Sequence, residues 1–321
     1  MSGDVSVVKG VNWDRPLVSV VMNCYNGAQY LRPAIDSVLA QTYENWEVVF
    51  WDNHSVDQSA TIFKSYKDAR LHYYYAERHT ALAEARNCAL ARCQGSLVAF
   101  LDVDDWWVPK KLEVQVPLFG DDDVGMSCGN FILVNERPGA RRSLSPIYRS
   151  LPAGHVLDDL FNDPFVHFST FMAKSQAIED LPYAFDPRFE IIEDFDLLVR
   201  LSVRWRMASV QQPIAYYRWH QTNAGYRTHF LISEEYNQWM DDAKNQLIYT
   251  EQEHFPKFVA KVKLYEVLRL LYLGQRRETW RRLRNVDTGK RLKLVIALLL
   301  PLGLVRRWMA RKAIRSVWPG G

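Results

Sequence analysis

Apolar and polar positions alternate along the first third of the chain in a pattern that predicts strands and helices taking turns. "LVSVVMNC" (17–24) is a mostly apolar, β-branched run closed by the turn pair Asn26–Gly27, which predicts a buried strand running into a turn. "YLRPAIDSVLAQ" (30–41) repeats Leu31, Ile35, Val38 and Leu39 at helical spacing. "WEVVFWD" (46–52) predicts a second buried strand, 57–67 a helix, "LHYYYA" (71–76) a third strand, "ALAEARNCALARC" (81–93) a helix and "SLVAFLD" (96–102) a fourth strand. Strands alternating with helices predict an α/β fold with a doubly wound, mostly parallel sheet. In such sheets ligands gather beyond the carboxyl ends of the strands. Asn23, Asp52 and Asp102 all fall at those ends.

The alternation stops near residue 136. "RPGARRSLSP" (137–146) reads as a polar loop with no apolar period, 193–205 as a helix and 213–220 as a strand. Beyond about residue 230 the pattern is helical to the end. No internal repeat is visible. The expected division is an α/β region over 1–228, with halves of about 16–135 and 136–228, followed by a helical region over 229–321.

Charge sharpens this division. The 321 residues carry a formal +3, but Gln275–Gly321 alone hold 13 Lys/Arg against 2 Asp/Glu, a net of +11. The remainder, with 27 basic and 35 acidic side chains, stands at −8. Two regions with different partners are implied. A composition of 48% hydrophobic and 24% charged residues excludes a disordered chain. The four cysteines lack zinc-type spacing and the start "MSGDVSVVKG" lacks an apolar leader, so reduced thiols in a cytoplasmic chain are expected.

The candidate chemistry centres on "AFLDVDDWW" (99–107), where an apolar run meets Asp102, Asp104 and Asp105. Crowded carboxylates repel and are costly to desolvate unless a cation sits among them. In a strand, residues i and i+2 point the same way, so Asp102 and Asp104 are expected to face one another across a shared ion while Asp105 points elsewhere. Two carboxylates with diphosphate oxygens suit Mg²⁺ or Mn²⁺. A solvated acidic turn is the plain alternative.

Four segments in order carry a resemblance: 18–60, "EARNCALARCQGSLVAFLDVDDWWVPKKLEVQ" (84–115), "IEDFDLLVRL" (192–201) and "YYRWH" (216–220). Together they resemble family 2 glycosyltransferases, which have the GT-A fold and include bacterial envelope-polysaccharide enzymes. The resemblance implies that Tyr25, Asn26, Asp52 and Arg86 contact the nucleotide. It also implies that Asp102 approaches the ribose and the metal, that Asp104 ligates the metal, and that His220 reaches the metal or diphosphate. Asp194 is implied as the general base of an inverting transfer, with Glu193 the second candidate. Without the resemblance, Glu193 and Asp194 read as acids favoured at a helix start. Asp52 and Asp57 then read as caps, His220 as a packed residue, and Trp106 and Trp107 as packing or a sugar-stacking face. Cys24 stands where many members have proline, and "HTALAE" where many have glycines, which bears on the shape of the base pocket.

The tail "LKLVIALLLPLGLVRRWMARKAIRSVW" (292–318) has a 12-residue apolar core, about 18 Å as a helix, against the roughly 30 Å of a bilayer. Val295, Leu298, Leu302, Val305 and Met309 recur at helical spacing beside Arg306, Arg307, Arg311, Lys312 and Arg315. That suits a helix lying on an anionic membrane surface at the cytoplasmic face. A helix packed on the domain or on a second copy is the alternative, and an oligomer stays open. No nucleic-acid motif accompanies the charge. The expected partners are a nucleotide-sugar donor, a UDP-sugar first, and a saccharide acceptor, of which a lipid-linked one fits the tail. The rival readings are a non-catalytic nucleotide-sugar-binding protein at the membrane surface and a nucleotidyltransferase. An oxidoreductase is disfavoured because no G-x-G-x-x-G follows the first strand.

Overall fold

A computed structural model describes residues 15–136, 143–220, 223, 232–285 and 288–305. The chain divides into two compact units, residues 1–221 and 222–321.

The first unit is built on one nine-stranded sheet. The strands β1 (Val18–Cys24), β2 (Trp46–Asp52), β3 (Leu71–Tyr75) and β4 (Leu97–Phe100) lie in the order β3-β2-β1-β4, all parallel. The helices α1 (Leu31–Leu39), α2 (Ser59–Ser65) and α3 (Leu82–Leu90) make the crossovers. The central strands are buried on both faces, as their unbroken apolar runs require: Val18, Val20, Met22, Val48, Phe50 and Leu97 expose nothing. Gly95 lets β4 enter beside β1. A Cβ there would stand 2.6 Å from both the Leu17 carbonyl and the Ser19 amide.

Beyond β4 the sheet turns mixed. The strands β5 (Trp106–Trp107), β6 (Val124–Asn135), β7 (Ser143–Pro146), β8 (Met172–Lys174) and β9 (Arg206–Trp219) follow, interspersed with the short helices α4 (Lys111–Gln115), α5 (Leu157–Asn162) and α6 (Ser175–Glu179). The strand β8 pairs antiparallel with β4 and β6, and β6 pairs parallel with β9. The helix α7 (Glu193–Ser202) packs eight of its ten residues inside. Two expectations are corrected here. Residues 143–146, expected as loop, form β7 on the edge of β6, because Leu133 and Val134 offer it a ladder that its own polar sequence does not advertise. Also, the strand expected over 213–220 is the end of a longer one beginning at Arg206.

The second unit is helical: α8 (Ile232–Ala243), α9 (Leu247–Thr250), α10 (Phe255–Leu273), α11 (Arg276–Arg282) and α12 (Thr288–Leu299). Gly274, at φ +77°, ends α10 in the left-handed conformation that glycine adopts without penalty. The stripe expected to face a membrane instead lines this unit's own core. Leu298 and Val305 are buried with Val267, Leu271 and Leu283, and Val295 packs against them. The opposite side of the same segment is exposed at Ile296, Leu299, Leu300 and Leu304. Residues 306–318, with Met309 and the last basic cluster, lie outside the described residues. Among the described residues no helix is long and apolar enough to cross a membrane.

Candidate active site

The loops after β1 and β2 are laced together at the carboxyl edge of the sheet. Asn26 (φ +53°) and His54 (φ +68°) adopt the left-handed backbone that asparagine tolerates better than most residues. The Asn26 amide donates to Ser55 Oγ at 2.9 Å, and its side-chain oxygen accepts from the Val56 amide at 2.9 Å. Asp57 accepts from the amides of Ala28 and Ser59, both at 2.9 Å, and so acts as the cap it resembled in sequence. Tyr25 is 52% exposed, its ring 3.9 Å from that of His79.

Asp52 has protein partners on both carboxylate oxygens. It exposes nothing, and its two oxygens accept from the Ser55 amide at 2.8 Å and the Tyr73 hydroxyl at 2.7 Å. Burial, with Asp52 beside it, pushes the Tyr73 hydroxyl upward. In this structure Asp52 is a turn cap, and contact with a base requires Tyr73 to share its acceptor.

Arg86 joins the acidic turn to the helix α7. It is 4% exposed and donates to Glu193 Oε1 at 2.5 Å and to Asp102 Oδ1 at 3.1 Å, its guanidinium 4.4 Å from the Phe168 ring centroid. Burial, reinforced by Asp194 and Asp102, raises Glu193 to about 8 against the pull of Arg86. The density of protein around Asp102 and its neighbours Asp104 and Asp194 raise it too, and burial raises Asp194. Glu193 Oε2 is buried without a hydrogen-bond partner. Asp194 is half-buried, one oxygen accepting from the Phe195 amide at 2.7 Å.

The strand ends at Phe100, so the acidic residues lie in a turn, closed by the Asp105 amide donating to the Asp102 carbonyl at 3.0 Å. The expectation that alternation pairs Asp102 with Asp104 therefore does not hold. Asp104 instead meets His220, Oδ2 to Nε2 at 3.0 Å. Asp105 turns inward, 1% exposed, accepting from Ser169 Oγ at 2.6 Å and from the Arg218 amide at 2.9 Å. Burial, then repulsion from Asp104 and Asp102, raises it well above the ordinary carboxylate range. His167 lies near Asp105, and burial lowers it to about 4, so it is neutral at pH 7. Trp107 is packed inside with Nε1 donating to the Ser169 carbonyl at 2.8 Å, while Trp106 stacks on Tyr216.

Sequence reasoning named Asp105 only as a carboxylate pointing elsewhere, and missed Ser169, Arg218, Tyr73 and Tyr30 as members of this neighbourhood. Arg218 had a signal in its place beside His220; the others had none in spacing.

The donor set suits a divalent cation. Asp102, Glu193 and Asp194 gather near Arg86, and burial, the largest cause for each, raises the affinity of all three for protons. One carboxylate oxygen and one imidazole nitrogen already lie within 3.0 Å. Among the described residues no third His, Cys, Asp or Glu atom closes on that pair within 4.8 Å. Diphosphate oxygens and water supply the remaining positions at sites of this kind. Asp104 and His220 would hold the ion, with Asp102 nearby.

The fold is of the GT-A type, and the model of the family described as "Glycosyl transferase family 2" matches residues 19–181. The chain belongs to that family. Among its relatives, a putative teichuronic acid biosynthesis glycosyltransferase of Bacillus subtilis, TuaG, is 39% identical over 125 residues, covering 38% of this chain and 49% of the relative. The Escherichia coli enzyme WfgD, a UDP-Glc:α-D-GlcNAc-diphosphoundecaprenol β-1,3-glucosyltransferase, is 34% identical over 133 residues, covering 41% and 53%. The chain thus spans about half the length of these curated relatives. Among solved structures, S. aureus TarS 1–349 in complex with UDP-GlcNAc superposes with a TM-score of 0.57 at 18% identity, over 92% of each chain. The mannosyltransferase PcManGT of Pyrobaculum calidifontis, in complex with GDP-Man and Mn²⁺, gives 0.59 at 17% identity, over 95% of this chain and 81% of that one.

Proposed function

We propose that this protein is a metal-dependent, inverting glycosyltransferase that moves a sugar from a UDP-sugar to a lipid-linked saccharide in envelope polysaccharide synthesis. The observation that carries the reading is the acidic turn at the carboxyl edge of the parallel strands, where Asp104 meets His220 and Arg86 ties Asp102 to the start of α7. TarS has been solved with UDP-GlcNAc and WfgD is named for a diphosphoundecaprenol acceptor, which supports the donor and acceptor classes.

Asp104 and His220 would hold Mg²⁺ or Mn²⁺, which would supply electrostatic stabilisation for the leaving nucleoside diphosphate. Tyr25 and Asn26 shape the loop over the base, and Arg86 fixes Asp102 where the ribose arrives. Asp194 takes the proton of the acceptor hydroxyl, because its carboxylate is half-open, whereas Arg86 grips Glu193 directly. Glu193, locked by Arg86, is the second candidate.

Membrane attachment is part of the proposal. Ile296, Leu299, Leu300 and Leu304 are exposed, and Arg276 Nη2 donates to the Leu300 carbonyl at 2.7 Å, which sets a basic side chain beside that apolar face. Such a surface suits anionic lipid at the inner face of the membrane. Co-sedimentation with phosphatidylglycerol vesicles at low salt is the check, and failure to sediment removes this element.

A panel of nucleotide sugars, with and without Mn²⁺, tests the main reading by melting shift and product analysis. The expected result is stabilisation by one UDP-sugar and release of UDP with an acceptor present. Release of pyrophosphate from a nucleoside triphosphate would make the protein a nucleotidyltransferase. Donor binding without any transfer or donor hydrolysis would make it a binding protein.

A further inference from the structure

We propose that Tyr30 is a positioning residue that fixes the His220 imidazole against Asp104, and so couples the donor loop to the ion-binding pair. The inference rests on the reading of Asp104 and His220 as cation ligands. His220 Nε2 meets Asp104 Oδ2 at 3.0 Å, and the Tyr30 ring bears on the plane of the imidazole, lying 4.5 Å from the His220 ring at an interplanar angle of 30°. Aromatic pairs in this range contribute beyond the area they bury.

Tyr30 is itself held from two directions. Its amide donates to the Gly27 carbonyl at 3.0 Å, which ties it to the loop carrying Tyr25 and Asn26. The Arg218 guanidinium lies 4.9 Å from its ring centroid and 4.6 Å from that of Trp106, and Trp106 stacks on Tyr216 at 4.9 Å. Arg218 is anchored by Nε donating to the Asp104 carbonyl at 2.9 Å and Nη1 to Glu136 at 2.6 Å. Five planar groups, Tyr216, Trp106, Arg218, Tyr30 and His220, thus form a chain of ring and guanidinium contacts. Asp104 is gripped through its backbone by Arg218 and through its carboxylate by His220. Outer-shell partners of ligating histidines typically alter metal affinity 10- to 100-fold when removed.

The test compares Tyr30→Phe, which keeps the ring, with Tyr30→Leu, which removes it at a half-buried position. Mn²⁺ binding is read by electron paramagnetic resonance without donor, and His220 by its side-chain ¹⁵N–¹H correlation in the metal-free protein, assigned with His220→Gln. Apparent KM for Mn²⁺ is followed separately from kcat. The expected outcome is an affinity loss of roughly 10-fold and a shifted His220 signal in Tyr30→Leu, with Tyr30→Phe within twofold of wild type. Should Tyr30→Leu not fold, Trp106→Leu breaks the chain one contact further out and is expected to shift His220 in the same direction. A folded Tyr30→Leu, or failing that Trp106→Leu, with wild-type Mn²⁺ affinity and an unmoved His220 signal overturns the proposal. If the wild-type protein binds no Mn²⁺, the ligand reading fails, and the His220 signal decides the positioning role by itself.

Discussion

Arg86 and Glu193, 107 residues apart in the chain, meet at 2.5 Å and join the helix after β3 to the start of α7. The same guanidinium holds Asp102, so one buried cation organises carboxylates from two distant segments. Removing it by Arg86→Met leaves Asp102 without its counter-charge and Glu193 without its hydrogen-bond donor. Loss of one partner of a buried ion pair typically costs about 3–5 kcal/mol, and urea denaturation of the variant is expected to show a loss of that order.

The proposed division of labour between the neighbours Glu193 and Asp194 predicts different kinetic signatures. Asp194→Asn is expected to lower kcat by roughly 10²- to 10⁴-fold, the usual contribution of a general base, with donor affinity unchanged. Glu193→Gln keeps an oxygen for Arg86 and is expected to lower kcat by less than Asp194→Asn. Steady-state kinetics with donor affinity measured by calorimetry separates the two, and the reverse ranking moves the base to Glu193.

Asp104→Asn leaves the His220 contact able to form but removes a charge from the ion-binding pair. Turnover at saturating Mn²⁺ is expected to fall by about 10²-fold, about 2.7 kcal/mol in the barrier. Near-normal rates would exclude Asp104 as a ligand.

Stability should respond to pH through Glu193. Its carboxyl titrates at about 8 in the folded chain against 4.5 as the ordinary value, chiefly because of burial. The folded state therefore holds a proton that the unfolded state releases, so this contribution is fully present below about 4.5 and is lost as pH rises through about 8. Asp102 and Asp194 shift in the same direction. The melting temperature of Glu193→Gln is accordingly expected to gain on wild type between pH 5 and pH 8. A constant difference across that window would exclude a raised Glu193.

Gly95→Ala probes the entry of β4. The added methyl would meet backbone atoms at 2.6 Å and disturb the Gly95 amide's 2.8 Å hydrogen bond to Ser19 Oγ. Overpacking of this kind costs about 1–3 kcal/mol, measurable by urea denaturation.

Hydropathy alone located β1 through β4 and the helices between them, because a strand buried on both faces must be written as an unbroken apolar run and a crossover helix as a 3.6-residue period. It also brought Asp102 and Asp104 to notice, since carboxylates at a strand end stand out against apolar flanks, whereas Asp194 was singled out only by the family resemblance. It could not read β7, whose pairing depends on the edge offered by β6. Nor could it tell which apolar stripe of the 292–305 segment faces inward, because both sides of that segment are apolar and only the packing against Val267 and Leu271 chooses between them.

What this sequence determined by itself is the parallel half of the sheet and the supply of acidic residues at its edge, both fixed by local pattern. The tertiary structure decided how those acids are used: Asp102 on Arg86, Asp104 on His220, Asp105 turned inward to Ser169, Asp52 capped by Tyr73. Each of these partners lies between 16 and 116 residues away, and a carboxylate's neighbours, not its own place in the chain, set its charge and its reach.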